Sequence, residues 1–176
     1  MTQRTQYWLQ AFLWLTGIYT SIPFVRPLCE ALRERALLNV TIYASALMVA
    51  GLFIRSLGYS KRRDILTWLL LAMAMMFYAA GFYFIKIPEE RLHFIEYGIL
   101  SCLVHRAIRL DNEKVSAYLL SFLMTGLCGW GDEILQGLTP GRFYTLKDVE
   151  LNAISAALGL FADFIRRRLP KPRRND

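Results

Sequence analysis

Residues 65–85 read ILTWLLLAMAMMFYAAGFYFI, an apolar run that contains no charged side chain. A helix rises about 1.5 Å per residue, so a run of this length can cross the roughly 30 Å hydrocarbon core of a bilayer. The apolar residues come in a block and leave no polar face, which is typical of a helix surrounded by lipid or by other helices. The run therefore predicts a membrane-spanning helix.

Five further apolar blocks accompany this run, and the chain as a whole is 55% hydrophobic. They lie at residues 7–25, 36–54, 92–110, 115–136 and 149–165. Soluble domains are about 45–50% apolar, and the excess here predicts an all-α, polytopic transmembrane bundle of about six membrane-spanning helices. Pro23 and Pro27 are expected to end the first helix, because proline lacks the backbone N–H that a helix interior needs. The charged residues between positions 26 and 35 would then form a connector.

The net charge of +7 is interpreted as a topology signal. Six spans place both termini on one side, and twice as many Lys and Arg residues fall on that side as on the other. The positive-inside rule then predicts a multi-pass protein of the inner (plasma) membrane with both termini cytoplasmic, ending in a basic tail at residues 166–176. No basic stripe is interleaved with exposed aromatic residues, so we expect membrane lipids and not nucleic acid as partners.

This orientation gathers the unusual polar residues at the outer membrane face, because the connectors at residues 86–91 and 137–148 both face outward. A charged residue at the centre of a bilayer costs about 2.5–3.5 kcal/mol on insertion scales, so such residues mark a functional-site hypothesis. We expect them to face the bundle interior or a water-filled cavity. They are Glu90, Arg91, His93, Glu96, Asp132, Glu133, Gln136, Arg142, Asp148 and Asn152.

Two interpretations of this cluster stay open at the level of residue types. In the first it is a pocket, whose catalytic residues for proton transfer would be His93, Glu133 and Asp148. Arginine can hold a phosphate or carboxylate through two parallel hydrogen bonds. The substrate-binding residues would be Arg91, Arg142, Gln136, Asn152, Asp132 and Glu90. In the second interpretation the cluster is an internal network of ion pairs and hydrogen bonds that fixes helix packing.

One stripe on the sixth helix combines polar and small residues. Asp148, Asn152, Ser155 and Gly159 are spaced at i, i+4, i+7 and i+11, so they share one helix face. Small residues allow two helix backbones to approach closely. The inner end of this stripe is therefore expected to make a close helix contact.

Metal-binding and nucleophile motifs are incomplete in this chain. Glu90-x-x-His93 has the spacing of one helix of a carboxylate-bridged di-iron site, but the best second copy, Glu133-x-x-Gln136, lacks the histidine. No metal and no other cofactor is predicted. Ser121 has no Gly-x-Ser-x-Gly context, and His105 is expected to be an interface residue near the cytoplasmic end.

The polar motifs, taken in order, resemble those of the VanZ-like family. The first is Glu90-Arg91-Leu92-His93-Phe94, and the later ones are Glu133-Ile134-Leu135-Gln136, Pro140-Gly141-Arg142 and Asp148-x-x-x-Asn152. The resemblance covers roughly residues 65–165, which would form a VanZ-like transmembrane core. Residues 1–64 would be an N-terminal extension of two transmembrane helices. Glu90-Arg91 stands where Asp-Lys is commoner in the family, which keeps both charges, and Ser155 stands where a glycine is usual.

The resemblance implies a small membrane protein linked to the bacterial cell envelope. The family is named for a protein associated with antibiotic resistance of the teicoplanin type. From the resemblance we expect a protein that binds or processes an anionic lipid-linked or cell-wall precursor at the outer membrane face. Whether the protein is an enzyme stays open. A non-enzymatic module that assembles with other membrane proteins is the alternative, and a small transporter is disfavoured because no inverted repeat is visible.

Overall fold

The computed structural model describes residues 1–57, 65–111 and 115–168, and within them the chain forms six α-helices and no strand. The all-α prediction is therefore confirmed. The helices are α1 (Gln3–Glu34), α2 (Leu38–Ser56), α3 (Ile65–Phe84), α4 (Glu90–Arg109), α5 (Ser116–Gly137) and α6 (Leu146–Arg168). Three sets of charges used in the topology argument lie outside the described residues: those at positions 61–64, Lys114, and the tail beyond Arg168.

Two of the described helices, α2 and α3, are long and apolar enough to cross a membrane. A buried core helix of a soluble protein can pass the same test, but only 11% of the most apolar stretch of α2 and 17% of that of α3 are buried. Their exposed side chains include Leu47, Leu52, Trp68 and Met76. An apolar surface of this kind indicates membrane association. The six-helix count is confirmed, whereas six membrane spans are not, because α2 and α3 alone among the described helices meet the criterion.

Helix α1 is longer than predicted and runs through both of its prolines. The prediction that Pro23 and Pro27 end the helix is wrong, and the charges at positions 26–34 lie on its last turns instead of in a connector. Ile18 and Ile22 are buried before the prolines and Cys29 is buried after them. This packing stabilises the helix by more than the hydrogen bonds lost at the prolines destabilise it. The helix ends where Ala36 takes a positive φ of 57°.

Side-chain hydrogen bonds also fix α1 against the centre of the bundle. Trp14 Nε1 donates to the backbone oxygen of Glu96 at 3.0 Å, and the Tyr19 hydroxyl donates to the backbone oxygen of Cys128 at 2.7 Å. These bonds join α1 to α4 and α5, respectively. The N-terminal region is therefore part of the same helical body as the predicted core.

Helix α4 is the centre of the structure and contacts all five other helices. Phe94, Tyr97 and Leu100 on α4 are almost completely buried. Where α4 crosses α6, Gly159 lies against Gly98 so closely that a Cβ atom on Gly159 would lie 2.1 Å from the Gly98 backbone oxygen. This crossing confirms the close helix contact predicted for the small end of the α6 stripe, and it fixes α4 relative to the acids of α5.

Candidate functional site

A small polar pocket lies between α1, α4, α5 and the loop that follows α5. Its cavity of about 10 Å³ is close to the minimum that one water molecule needs. Ile18, Ile22 and Val25 of α1 form an apolar wall. The polar lining comes from Ser21, Glu89, His93, Glu96, Asp132, Gln136 and Arg142. Four of the predicted site residues are therefore brought together here, namely His93, Asp132, Gln136 and Arg142.

Gln136 links the acids of α5 to the histidine and the arginine. Its Nε2 donates to Asp132 Oδ2 at 3.2 Å and to Glu133 Oε1 at 3.3 Å, and lies 3.5 Å from His93 Nε2. Its Oε1 accepts a hydrogen bond from Arg142 Nη2. The spacing of three and four residues along α5 placed Gln136 beside both acids in the sequence analysis, and the structure confirms that arrangement.

His93 reaches into the pocket from the first turn of α4 and lies between two carboxylates. Its Nδ1 is 3.5 Å from Asp132 Oδ2 and 3.6 Å from Glu96 Oε2. The ring also stacks against Tyr97, with ring centroids 6.3 Å apart. Glu96 was recognised as part of the polar cluster but was given no role, and the structure places its carboxylate beside the imidazole.

Asp132 and Glu133 are completely buried, although both are ionisable. Asp132 Oδ1 and Glu133 Oε2 have no hydrogen-bond partner among the described residues. A buried polar group without a partner costs free energy comparable to a lost hydrogen bond, and a charged one costs more. Burial of these two oxygens therefore costs folding free energy.

The structure places Arg91 away from the pocket. Its Nε donates to the backbone oxygen of Ile85 at 3.0 Å and its Nη1 donates to the Tyr43 hydroxyl at 3.2 Å. The guanidinium also lies 5.6 Å from the centre of the Tyr43 ring. The structure therefore does not bring Arg91 and Arg142 together at this pocket, because Arg91 contacts Tyr43 of α2 instead.

Glu90 and Asp148 do not line the cavity either. Glu90 is the first residue of α4 and lies outside the predicted span. Partial burial raises the pKa of its carboxyl above the ordinary value, and the negative charge of Asp148 raises it further by a smaller amount. Asp148 lies in the first turn of α6, where its backbone N–H donates to Thr145 Oγ1 at 3.1 Å. The acid that lines the pocket at this end is Glu89, which pairs with Arg33 of α1.

Asn152 joins α6 to α5 and does not line the cavity. Its Nδ2 donates to the backbone oxygen of Gly129 at 3.2 Å, and its side chain is almost fully buried. Gly129 leaves the necessary space, because a Cβ atom there would lie 2.8 Å from the Asn152 Cβ. Asn152 therefore contributes to the packing of α6 against α5.

Arg142 also lines a larger groove that opens beside the pocket. This groove has a volume of about 380 Å³ and is bounded by Arg26, Pro27 and Glu30 of α1 and by the loop after α5. Gly141 takes a positive φ of 77° in that loop, a conformation that favours glycine. Arg142 thus stands where the groove and the buried polar pocket meet.

A second buried polar cluster lies at the other end of α4. His105 is completely buried, with Nδ1 3.2 Å from Ser121 Oγ and Nε2 3.7 Å from Asp163 Oδ2. Asp163 accepts hydrogen bonds from Arg166 and Arg167 of its own helix. The expectation of an interface position for His105 is wrong. Asp163 precedes the two arginines by three and four residues, which was the available sequence signal for this cluster.

No family model, curated protein or solved structure matches this chain. The resemblance to the VanZ-like family therefore stays a prediction based on the motifs. The geometry of the pocket supplies the basis for a functional proposal.

Proposed function

We propose that this chain is a VanZ-like integral membrane protein of the bacterial cell envelope that binds an anionic lipid-linked or cell-wall group through Arg142. The observation that carries the proposal is the position of Arg142, which lines both the larger groove and the buried polar pocket. The proposal includes six membrane crossings, cytoplasmic termini and an outward-facing groove. It also includes the link to resistance against teicoplanin-type glycopeptides that the resemblance implies.

The chemistry of the groove suits an anion. A guanidinium has five N–H donors in a planar fork that matches phosphate and carboxylate groups. The bond to Gln136 uses one of these donors and fixes the side chain. Arg26 lines the same groove from α1 and is held by Glu30, with Arg26 Nε 3.1 Å from Glu30 Oε1. Two positioned arginines beside an apolar surface can hold the head group of a lipid whose chains lie in the membrane.

The pocket behind Arg142 offers groups that can move a proton. His93 lies within 3.6 Å of both Glu96 and Asp132, so a proton could pass between the imidazole and a carboxylate. In this proposal His93 keeps the role predicted for it. Neither Glu133 nor Asp148 lines the cavity. Glu133 is joined to it through the hydrogen bond from Gln136 Nε2, whereas Asp148 influences the pocket only through its charge.

Arg142→Ala is expected to weaken binding of a short-chain anionic phospholipid, dihexanoylphosphatidylglycerol, by roughly 10–100-fold. This range corresponds to the 1.5–3 kcal/mol typical of a hydrogen bond to a charged group. The measurement is a calorimetric titration of the purified protein in a neutral detergent, with dihexanoylphosphatidylcholine as the uncharged reference. Arg91→Ala is the matched control and is expected to change the affinity by less than about twofold, because Arg91 faces Tyr43.

Equal affinities of the Arg142→Ala variant and the unchanged protein would contradict the proposed anion site. The same variants are to be compared for teicoplanin susceptibility in cells at matched protein levels. An assembly module, the alternative function, is favoured by the exposed apolar residues of α2 and α3. It predicts that substitutions at exposed positions such as Leu47 and Met76 alter the phenotype while Arg142→Ala does not.

A further inference from the structure

We infer that His93, Asp132 and Glu133 form a binding site for one divalent transition-metal ion of the zinc type. One ligand atom of each residue lies within 4.8 Å of the ligand atoms of the other two. Two of the residues are adjacent on α5, and the third faces them from α4. This inference does not depend on the proposed binding of an anion by Arg142, because Arg142 is not one of the three ligands.

The donor set selects the class of metal. One imidazole nitrogen and two carboxylate oxygens suit borderline cations such as Zn²⁺, whereas Mg²⁺ and Ca²⁺ prefer oxygen ligands alone. Three protein ligands are also the usual number at zinc sites that keep a fourth position open. The Glu90-x-x-His93 spacing suggested a different ligand set in the sequence, and the structure replaces Glu90 with Asp132 and Glu133.

Unsatisfied ligand atoms are the second observation that points to a cation. Asp132 and Glu133 are both completely buried. Asp132 Oδ1 and Glu133 Oε2 lack a hydrogen-bond partner among the described residues. Buried charges in proteins are usually paired or bound to metals. Each of the two carboxylate ligands therefore has an oxygen whose binding capacity the described part of the chain does not use.

Charge balance supports the same conclusion. Two ionised carboxylates at adjacent positions repel each other strongly in a buried environment. Arg142, which lines the same pocket, donates to the Gln136 oxygen, and no ion pair joins it to either acid among the described residues. A dication would neutralise both carboxylates at once and leave the imidazole uncharged, which is the form that binds metal.

The Gln136 amide marks the centre of the site. Its Nε2 lies 3.2 Å from Asp132, 3.3 Å from Glu133 and 3.5 Å from His93, so a hydrogen-bond donor occupies the point where the three ligands converge. Zinc binds nitrogen and carboxylate ligands at about 2.0–2.2 Å. Metal binding therefore requires the ligands to close in and the amide to turn aside, which would also alter the bond from Gln136 to Arg142.

Glu96 completes the site as a positioning residue. Its Oε2 lies 3.6 Å from His93 Nδ1, on the opposite side of the ring from the nitrogen that faces Gln136. Histidine ligands commonly donate their second N–H to a carboxylate, and loss of that carboxylate typically costs 10–100-fold in metal affinity. Glu96 is therefore expected to act on metal binding through the orientation of His93.

The test uses the full chain in detergent after removal of metals with a chelator. Co²⁺, which reports tetrahedral coordination through its visible absorption, is titrated first, and Zn²⁺ is then added in competition. We expect one equivalent per chain and no thiolate-to-cobalt band, which separates the site from the three cysteines. Asp132→Asn and Glu133→Gln should each lower the affinity by more than about 100-fold, since each removes a ligand and not merely its support. Glu90→Gln, the matched control, should bind as the unchanged protein does.

Glu96→Gln keeps the test decisive if the ligand variants do not fold, because it leaves all three ligands in place and should weaken Co²⁺ binding by roughly 10–100-fold. Absence of stoichiometric binding by the unchanged protein would overturn the inference. So would a loss of binding in Glu90→Gln, or unaltered binding in folded Glu133→Gln. Titrating the anionic phospholipid with the chelator present measures the proposed anion site independently of the metal site.

Discussion

Gly159→Ala is expected to destabilise the folded chain by about 3 kcal/mol or more, because it forces α4 and α6 apart. Inserting a methyl group into a well-packed core typically costs 1–3 kcal/mol, and more where the neighbours cannot yield. The added Cβ would lie 2.1 Å from the Gly98 backbone oxygen and 2.3 Å from Ser101 Oγ. The closer of these atoms belongs to the backbone of α4, so relief requires movement of a whole helix.

Movement of α4 would disturb more than one interface. Cys102 Sγ donates to the backbone oxygen of Gly159 at 3.1 Å, so the same crossing carries a hydrogen bond between the two helices. Helix α4 also contacts every other helix and positions His93. The variant is therefore expected to lose metal binding and anion binding together with stability.

Gly126→Ala in α5 is the matched control. Nothing lies within 4 Å of a Cβ atom built at Gly126, so the substitution adds no clash. Alanine is favoured over glycine in helices by up to about 1 kcal/mol, and the control should be neutral or slightly stabilising. Thermal unfolding in detergent, followed by circular dichroism, compares the two variants. Similar midpoints for both would show that the α4–α6 crossing is less tightly packed than the structure indicates.

The helices could be predicted from the sequence because each apolar block is long and is bounded by charge or by a turn. The end of α1 alone differed substantially from the prediction. The helix continues through Pro23 and Pro27, with buried residues on both sides of them. Local rules describe the isolated segment, whereas this helix is packed against α4 and α5 along its length.

The candidate site could be predicted only where its residues share one helix. Asp132, Glu133 and Gln136 fall within one turn of α5, so their proximity follows from the helical repeat. The difference between Arg91 and Arg142 could not be predicted in this way. It depends on the position of Tyr43 on α2 and on the loop after α5, and no spacing in the sequence encodes either contact.

Asp163→Ala is expected to cost about 3 kcal/mol of stability. Removing one partner of a buried ion pair typically costs 3–5 kcal/mol, because the remaining charge is left without compensation. The Asp163 side chain is 1% exposed. It accepts one hydrogen bond from Arg166 Nη2 at 2.7 Å and a second from Arg167. Its Oδ2 also lies 3.7 Å from His105 Nε2. The lower end of the range applies because the two arginines are partly exposed and can turn toward water.

Asp111→Ala is the control for a carboxylate whose ion pair is exposed. Asp111 Oδ2 lies 3.1 Å from Arg4 Nη2, and both side chains are about half exposed or more. Exposed ion pairs are worth about 0–1 kcal/mol, and salt screens them further. Unfolding of both variants is to be compared at low and high ionic strength. We expect the loss caused by Asp163→Ala to persist at high salt and the loss caused by Asp111→Ala to vanish.

Equal losses in the two variants would contradict the buried cluster, because burial is the property that separates Asp163 from Asp111. Asp163→Asn refines the comparison, since Arg166 and Arg167 donate to different carboxylate oxygens and the single amide oxygen of asparagine can accept from only one of them. A loss smaller than that of Asp163→Ala would assign part of the stabilisation to the hydrogen bond that the amide oxygen keeps. The remainder would combine the lost charge with the hydrogen bond that the amide NH2 group cannot accept.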